Sequence, residues 1–111
     1  MEMDEYQELA LRTGYGKDKD PNFVLMIYAM GLAGESGEVI EKMKKPLRDR
    51  KGVFSDEEKV VIKKELGDVM WYLSELARAL GFTLEDVAQT NIAKLADRAK
   101  RGVIQGEGDN R

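Results

Sequence analysis

The chain has 111 residues, a net charge of −3 and 35% charged residues of both signs, with neither cysteine nor histidine. This length suits one domain, 1–111, and the mixed charge gives no basis for binding nucleic acid or a membrane surface. Without cysteine or histidine, carboxylates remain as the strong metal ligands, and they favour Mg²⁺ or Mn²⁺ over Zn²⁺. The acidic first ten residues lack the apolar run of a signal peptide or anchor, so we expect a cytoplasmic protein.

The first predicted helix spans residues 3–12, with Tyr6, Leu9 and Ala10 on its apolar face. Glycines, a proline and alternating charges follow at 13–22 and predict a loop. The two glycines in this segment do not make a phosphate-binding fingerprint, because no strand precedes them and their spacing does not match one.

The second predicted helix is capped by Asp20 or Asn22 and runs to about residue 45, where Pro46 is expected to break it into a basic loop. Its first half is apolar on more than one side, which indicates burial by several neighbours. Three glycines lie inside it, and each weakens a helix by roughly 0.5–1 kcal/mol relative to alanine. Close packing against another helix and close approach of a ligand explain these glycines about equally well. They are Gly31, Gly34 and Gly37.

Two further helices follow, each with a clear start. Ser55 caps the third helix, which Gly81 ends, and Thr83 caps the fourth, which fades near Arg101. The tail, 102–111, is glycine-rich and polar and is expected to be a loop. No strand pattern, repeat or membrane span is apparent, so the predicted fold class is all-α.

Two pairs of acids stand out on the second and third helices. Glu35 and Glu38 are three residues apart, as are Glu65 and Asp68, and this spacing puts each pair on one helix face. Two antiparallel helices joined by a loop would bring the pairs together. The neighbours of both pairs are apolar and must face a core. These neighbours are Leu32, Val39, Ile40, Leu66, Val69, Met70 and Leu73.

Four converging carboxylates would repel one another, at roughly 4 kcal/mol for each pair of charges about 4 Å apart in a medium of dielectric near 20. Protonation, basic partners or a divalent cation could offset this repulsion, and Mg²⁺ does so directly. A solvated face remains the common interpretation of either pair alone. Glu41 is an extra ligand or, more simply, a surface acid, and Glu57, Glu58 and Glu75 are interpreted as surface charge.

The acid spacing and several longer stretches resemble the all-α nucleoside triphosphate pyrophosphohydrolases, the MazG-like group. Together these stretches cover most of the chain in the order typical of that family. They read "EYQELALRT", "GLAGESGEVIEKMKK", "KKELGDVMWYLSELARALG" and "NIAKLADRAKRG".

This resemblance implies a four- to five-helix bundle that is completed by dimerisation, as a homodimer or a dimer of dimers. It also implies Mg²⁺-dependent cleavage of a nucleoside triphosphate between its α and β phosphates, with removal of non-standard nucleotides as one role of such enzymes. The length of the chain agrees, because four helices with an apolar second helix leave surface to bury.

Carried over by position, the resemblance makes Glu35, Glu38, Glu65 and Asp68 the metal ligands. Glu35 or Glu38, or hydroxide held by the metal, would act as the base. Trp71 could stack on a base, although a core or dimer-interface role suits it better. Many relatives have a further glutamate where this chain has Gly34, which leaves the number of metal ions open. The implied substrate-binding residues are Tyr72, Asn91, Lys94 and Arg98, and Arg101 could also neutralise phosphate.

Three alternatives stay open from the sequence. A phosphoribosyl-ATP pyrophosphohydrolase or a dimeric dUTPase would share the metal chemistry and differ in substrate. A non-catalytic helical module, dimerising through its apolar faces, would have acids that only keep it soluble. A nucleic-acid-binding helical protein is disfavoured, since no basic face stands out.

Overall fold

The structure, a computed structural model, describes residues 1–14 and 19–111, and within them it contains four α-helices and no strand. The all-α prediction is therefore confirmed. The predicted loop at 13–22 includes residues 15–18, which lie outside the described residues. The helices are α1 at Met3–Ala10, extended by a 3₁₀ turn at Leu11–Thr13, α2 at Pro21–Asp49, α3 at Asp56–Ala79 and α4 at Leu84–Arg101.

The predicted helix starts are confirmed by side-chain caps. The Asp20 carboxylate accepts from the backbone N–H of Asn22 at 2.8 Å, and the Thr83 hydroxyl accepts from that of Asp86 at 3.0 Å. Ser55 and Glu58 cap each other reciprocally, with distances of 3.1 and 2.9 Å. Glu58 is therefore not the free surface charge that the sequence suggested. A hydrogen bond from the Arg50 guanidinium, with those from Ser55, lowers the pKa of Glu58 to about 2.

The predicted break at Pro46 is wrong, because α2 continues to Asp49. Proline lacks the N–H that would bond one turn back, but here it falls in the last turn, where a single bond is lost and the helix ends soon afterwards. The ring of Pro46 is fully buried. Its carbonyl accepts from the N–H groups of both Arg50 and Gly52 at 3.1 Å, which closes the helix end.

The helices α2 and α3 form a hairpin that provides most of the contacts between helices, and α1 lies across α3 and α4. The polar Gln7 joins α1 to α3 and to the start of α4 by hydrogen bonds. Its amide donates to the carbonyls of Ser74 and Phe82 and accepts from the N–H of Leu84, at 3.3, 3.1 and 3.2 Å. The first N–H groups of a helix have no hydrogen-bond partner within that helix. Gln7 of α1 supplies such a partner for the N–H of Leu84, the first residue of α4.

The predicted apolar face of α1 is only partly correct. Ala10 is buried and Tyr6 half-buried, whereas Leu9 is exposed and the buried neighbour is Gln7. The inward face of α1 is thus defined by hydrogen bonds to α3 and α4 more than by apolar area.

Both long helices also carry apolar residues on the side that faces away from the hairpin. On α2, Met30 is 66% and Ile40 67% exposed, and on α3, Leu66 is 51% exposed. By length and composition alone α2 would be apolar enough to cross a membrane, although only 6% of that apolar window is buried. The same window includes two acids, and a helix that packs against further protein has the same composition.

Candidate metal centre

Three of the four predicted metal ligands converge where α2 faces α3. One carboxylate oxygen from each of Glu35, Glu65 and Asp68 lies within 4.8 Å of the others. Glu35 and Glu65 are half-buried and Asp68 is exposed. Glu38, one turn further along α2, is exposed and lies outside this three-carboxylate group.

The three-carboxylate group holds its negative charge at an energetic cost. Burial raises the pKa of Glu35, as do the charges of Asp68, Glu65 and Glu38 and a hydrogen bond with Glu65. The effect of Glu38 on this pKa shows that its carboxylate lies near the group although it is not part of it. Oxygen donors at this spacing and with this charge match what a hard divalent cation requires.

A cavity of about 370 Å³ opens beside the carboxylates, lined by Thr13, Glu35, Asp68, Trp71 and Tyr72. Trp71 fixes the cavity wall, because its indole N–H donates to the Thr13 hydroxyl at 2.8 Å and to the Ala10 carbonyl at 3.3 Å. Its ring meets that of Tyr72 edge-on, with centroids 5.0 Å apart. No sequence pattern pointed to Thr13, which enters the site because the 3₁₀ turn after α1 packs against α3.

Tyr72 lies in this cavity because Gly31 leaves room for its ring. A Cβ atom on Gly31 would be 2.1 Å from Cε1 of Tyr72, well inside contact distance. A Cβ atom on Gly34 or Gly37, by contrast, would meet nothing within 4 Å among the described residues. Of the three glycines in α2, Gly31 is thus explained by close packing within the chain.

The other predicted substrate-binding residues lie elsewhere. Asn91 and Lys94 line a second cavity of about 460 Å³ on α4, with Phe82, Asp86, Val87 and Thr90. This cavity shares no lining residue with the one beside the carboxylates. Arg98 is buried, and its guanidinium donates to the carbonyls of Gly108 and Asp109 at 3.4 and 3.1 Å. The single chain does not bring the predicted phosphate-binding cations to the carboxylates.

The interpretation of Glu75 as surface charge is wrong, since this side chain is 1% exposed. It lies on the same face of α3 as Asp68 and Tyr72 and forms an ion pair with Arg78. Its Oε2 atom would be 3.1 Å from a Cβ atom on Gly14, so a side chain at that position would be tightly confined. Burial, followed by the charges of Glu75 and Asp68, raises the pKa of Tyr6, which places this phenol near both acids.

The fold and the carboxylate group define an all-α protein with a candidate cation site between two helices. Residues 26–103, more than half of the chain, match the family model described as the MazG nucleotide pyrophosphohydrolase domain. The chain therefore belongs to the MazG nucleotide pyrophosphohydrolase family. It is 47% identical over 115 residues to the Gene 37 protein of Mycobacterium phage L5, with both chains covered in full. No solved structure matches it.

Proposed function

We propose that this protein is a Mg²⁺-dependent nucleoside triphosphate pyrophosphohydrolase that releases a nucleoside monophosphate and pyrophosphate. The observation that carries the proposal is the convergence of Glu35, Glu65 and Asp68 beside a cavity in a chain of this family. Mn²⁺ is expected to substitute, because it shares the preference of Mg²⁺ for oxygen ligands.

The donor set fits a divalent cation. Three carboxylates within 4.8 Å repel one another, and the raised pKa of Glu35 reflects its burial and that repulsion. Glu35, Glu65 and Asp68 would hold the ion. When bound, Mg²⁺ neutralises phosphate oxygens and polarises the phosphoryl group that is attacked.

The remaining chemistry falls to the side chains around the cavity. We assign Glu38 as the general base, because its exposed carboxylate stays outside the three-carboxylate group and is free to accept a proton from the attacking water. Tyr72 would contact the sugar or the base, since its ring lines the cavity together with Asp68. Trp71 would form part of the wall of this cavity, held by its hydrogen bonds to Thr13 and Ala10.

Two chains are expected to complete the active unit. The apolar faces that α2 and α3 turn away from the hairpin are exposed, and a second copy would cover them. Dimerisation would also be a way to bring Asn91 and Lys94 of one chain to the carboxylates of another. This assembly is part of the proposal.

The test is a panel of canonical and modified nucleoside triphosphates, assayed with Mg²⁺, with Mn²⁺ and with chelator. We expect metal-dependent release of pyrophosphate and the monophosphate, while release of phosphate and the diphosphate would indicate a different bond. The panel includes phosphoribosyl-ATP and dUTP, so it also separates the related enzymes.

Glu38→Gln and Glu41→Gln form a matched pair on α2, three residues apart. Loss of a general base lowers turnover by roughly 10²–10⁴-fold, so we expect at least about a 100-fold fall in Glu38→Gln. Glu41 is exposed, pairs with Lys44 at 3.9 Å and should be dispensable. Asp68→Asn should lose metal-dependent turnover while circular dichroism shows an intact helical fold. Full activity in both Glu38→Gln and Asp68→Asn would refute the proposal.

A further inference from the structure

The C-terminal segment, residues 103–111, folds back against the end of α4. Arg111 holds it closed, because its guanidinium donates to the carbonyls of Val103 at 3.1 Å and Gly108 at 2.6 Å. Arg101 on α4 donates to the carbonyl of Arg111. The Arg111 hydrogen bonds therefore close the segment on itself, and the Arg101 hydrogen bond holds its last residue against α4.

In this arrangement a carboxylate of the segment lies between two cations of α4. Oδ1 of Asp109 is 3.1 Å from Nζ of Lys94 and 3.2 Å from Nη2 of Arg98. The same guanidinium also donates to the carbonyls of Gly108 and Asp109. Within the described residues, the Arg98 side chain thus makes all its hydrogen bonds to the C-terminal segment, and its Nε has no partner there.

The two cations and the carboxylate between them differ in burial. The side chain of Arg98 is 6% exposed, against 39% for that of Lys94 and 82% for that of Asp109. Desolvating a guanidinium is costly, so the buried Arg98 side chain requires an anionic or polar partner. Its anionic partner here, the carboxylate of Asp109, is mostly exposed, so another anion can take its place. The segment that carries Asp109 has glycines with positive φ at 106 and 108, and it packs little apolar surface.

Lys94 connects this pair to the 460 Å³ cavity on α4, which it also lines. Phe82 and Val87 give that cavity an apolar wall, and Asn91 adds a polar group. Asp86 also lines the cavity but lies eight residues before Lys94, or roughly 12 Å along the helix. The negative charge of Asp86 and the positive charge of Lys94 are therefore at opposite ends of the cavity. An anion with an attached apolar or aromatic part would match the cavity, with its charge at the Lys94 end.

We propose that the C-terminal segment competes with a phosphate-bearing ligand for Lys94 and Arg98, the two α4 cations that the resemblance assigns to substrate binding and that Asp109 engages in this structure. The ligand class is a polyphosphate, because its several charged oxygens can engage both cations where one carboxylate oxygen does so now. The inference rests on the proposed function only in taking that polyphosphate to be part of a nucleotide. The competition itself does not require hydrolysis.

The experiment measures binding of inorganic pyrophosphate to the full chain by calorimetry, in chelator and at low ionic strength. Without a cation the three-carboxylate group repels anions, so the measurement reports the α4 site. We compare the wild type with Asp109→Asn and with Glu107→Gln, which removes the same charge from the same segment. Glu107 makes no hydrogen bond or ion pair within the described residues and serves as the matched control.

Asp109→Asn is expected to bind pyrophosphate up to about fivefold more tightly, since exposed ion pairs contribute roughly 0–1 kcal/mol. Glu107→Gln should bind like the wild type. Adding Lys94→Gln to Asp109→Asn should remove the gain. A further variant that lacks residues 105–111 should gain at least as much affinity for pyrophosphate as Asp109→Asn.

Equal affinities in the wild type and Asp109→Asn, or an equal gain in Glu107→Gln, would overturn the inference, and so would absence of pyrophosphate binding in all variants. A segment with a purely structural role would lower the melting temperature of Asp109→Asn without changing affinity, which is also a negative result. Failure of the proposed function appears separately, as absence of pyrophosphate release by the wild type with Mg²⁺.

Discussion

The carboxyl group of Glu35 binds its proton more tightly in the folded chain than in the unfolded one. Burial and the charges of Asp68, Glu65 and Glu38 raise its pKa above the ordinary value of 4.5. A raised pKa contributes stability that is fully present below the unfolded value and is lost as the pH rises through the folded value. In metal-free protein this contribution is therefore lost as the pH rises through the raised pKa of Glu35, and a cation that offsets the negative charge would stabilise the ionised group.

We predict that Glu35→Gln makes the metal-free protein at least as stable as the wild type at pH 7 and removes its stabilisation by Mg²⁺. A bound ligand at 100 times its Kd stabilises by about 2.7 kcal/mol. Thermal unfolding between pH 4 and 8, with Mg²⁺ or chelator, measures both effects. Glu41→Gln is the control and should keep the wild-type response. An equal Mg²⁺ response in wild type and Glu35→Gln would contradict the assignment.

Gln7 shows a different use of a buried polar residue. Because its amide satisfies two carbonyls and one N–H, replacing it with an apolar side chain leaves buried groups without partners. We predict that Gln7→Leu lowers the free energy of unfolding by about 2 kcal/mol. Chemical denaturation measures this change. Glu8→Leu, at an exposed neighbour on α1, should change it by less than about 0.5 kcal/mol, and equal effects of the two substitutions would argue against a bridging role.

Among the helices, the close approach of α2 to α3 depends on Gly31. A methyl group there would collide with the Tyr72 ring, so we predict that Gly31→Ala destabilises the protein by about 1–3 kcal/mol and displaces Tyr72. Gly37→Ala, with open space around it, should instead stabilise α2 by about 0.5–1 kcal/mol. Urea unfolding compares the two, and near-ultraviolet circular dichroism follows the aromatic rings. Identical effects would mean that the helices do not meet at Gly31.

The helices and their caps were predictable because capping is local. Ser55 and Thr83 each act on an N–H three residues away, and the sequence contains both partners. The convergence of Glu35, Glu65 and Asp68 was also predictable, since spacing fixes each helix face and a short loop makes α2 and α3 neighbours. Glu38 was predicted to converge with them and lies outside the group. The break predicted at Pro46 was wrong because a proline breaks the interior of a helix but is tolerated in the last turn. Here the carbonyl of Pro46 still accepts hydrogen bonds from Arg50 and Gly52.

Burial of polar residues was not predictable from the pattern. Gln7 and Glu75 have the character of surface residues on their own helices, and their burial follows from where α1 lies across α3 and α4. The contact between Arg98 and the C-terminal segment has the same origin, because it joins a helix to a segment with no periodic pattern. Such contacts depend on tertiary packing, and the residue pattern of a single helix does not indicate which other segment packs against it.

At the scale of the whole molecule, the single chain buries little apolar surface. Within the described residues, the fully buried apolar side chains are few, while large apolar side chains are exposed on both long helices. On α2 the exposed residues Met26, Met30 and Ile40 recur at helical spacing on the side opposite Glu35. Exposed apolar area of this extent indicates an interaction surface.

We predict a homodimer or a dimer of dimers, with a mass at least twice the 12.5 kDa of the chain, by light scattering at micromolar concentration. Met30→Lys should shift the mass toward that of the monomer and lower the melting temperature, because a charge in an apolar interface loses its hydration. Met3→Lys makes the same substitution at an exposed position of α1 and should leave the mass unchanged. A monomeric wild type would refute assembly through these faces. If the proposed hydrolysis also depends on residues of both chains, the turnover rate of Met30→Lys should fall together with its dimer fraction. Raising the protein concentration should then restore both the dimer fraction and the turnover rate.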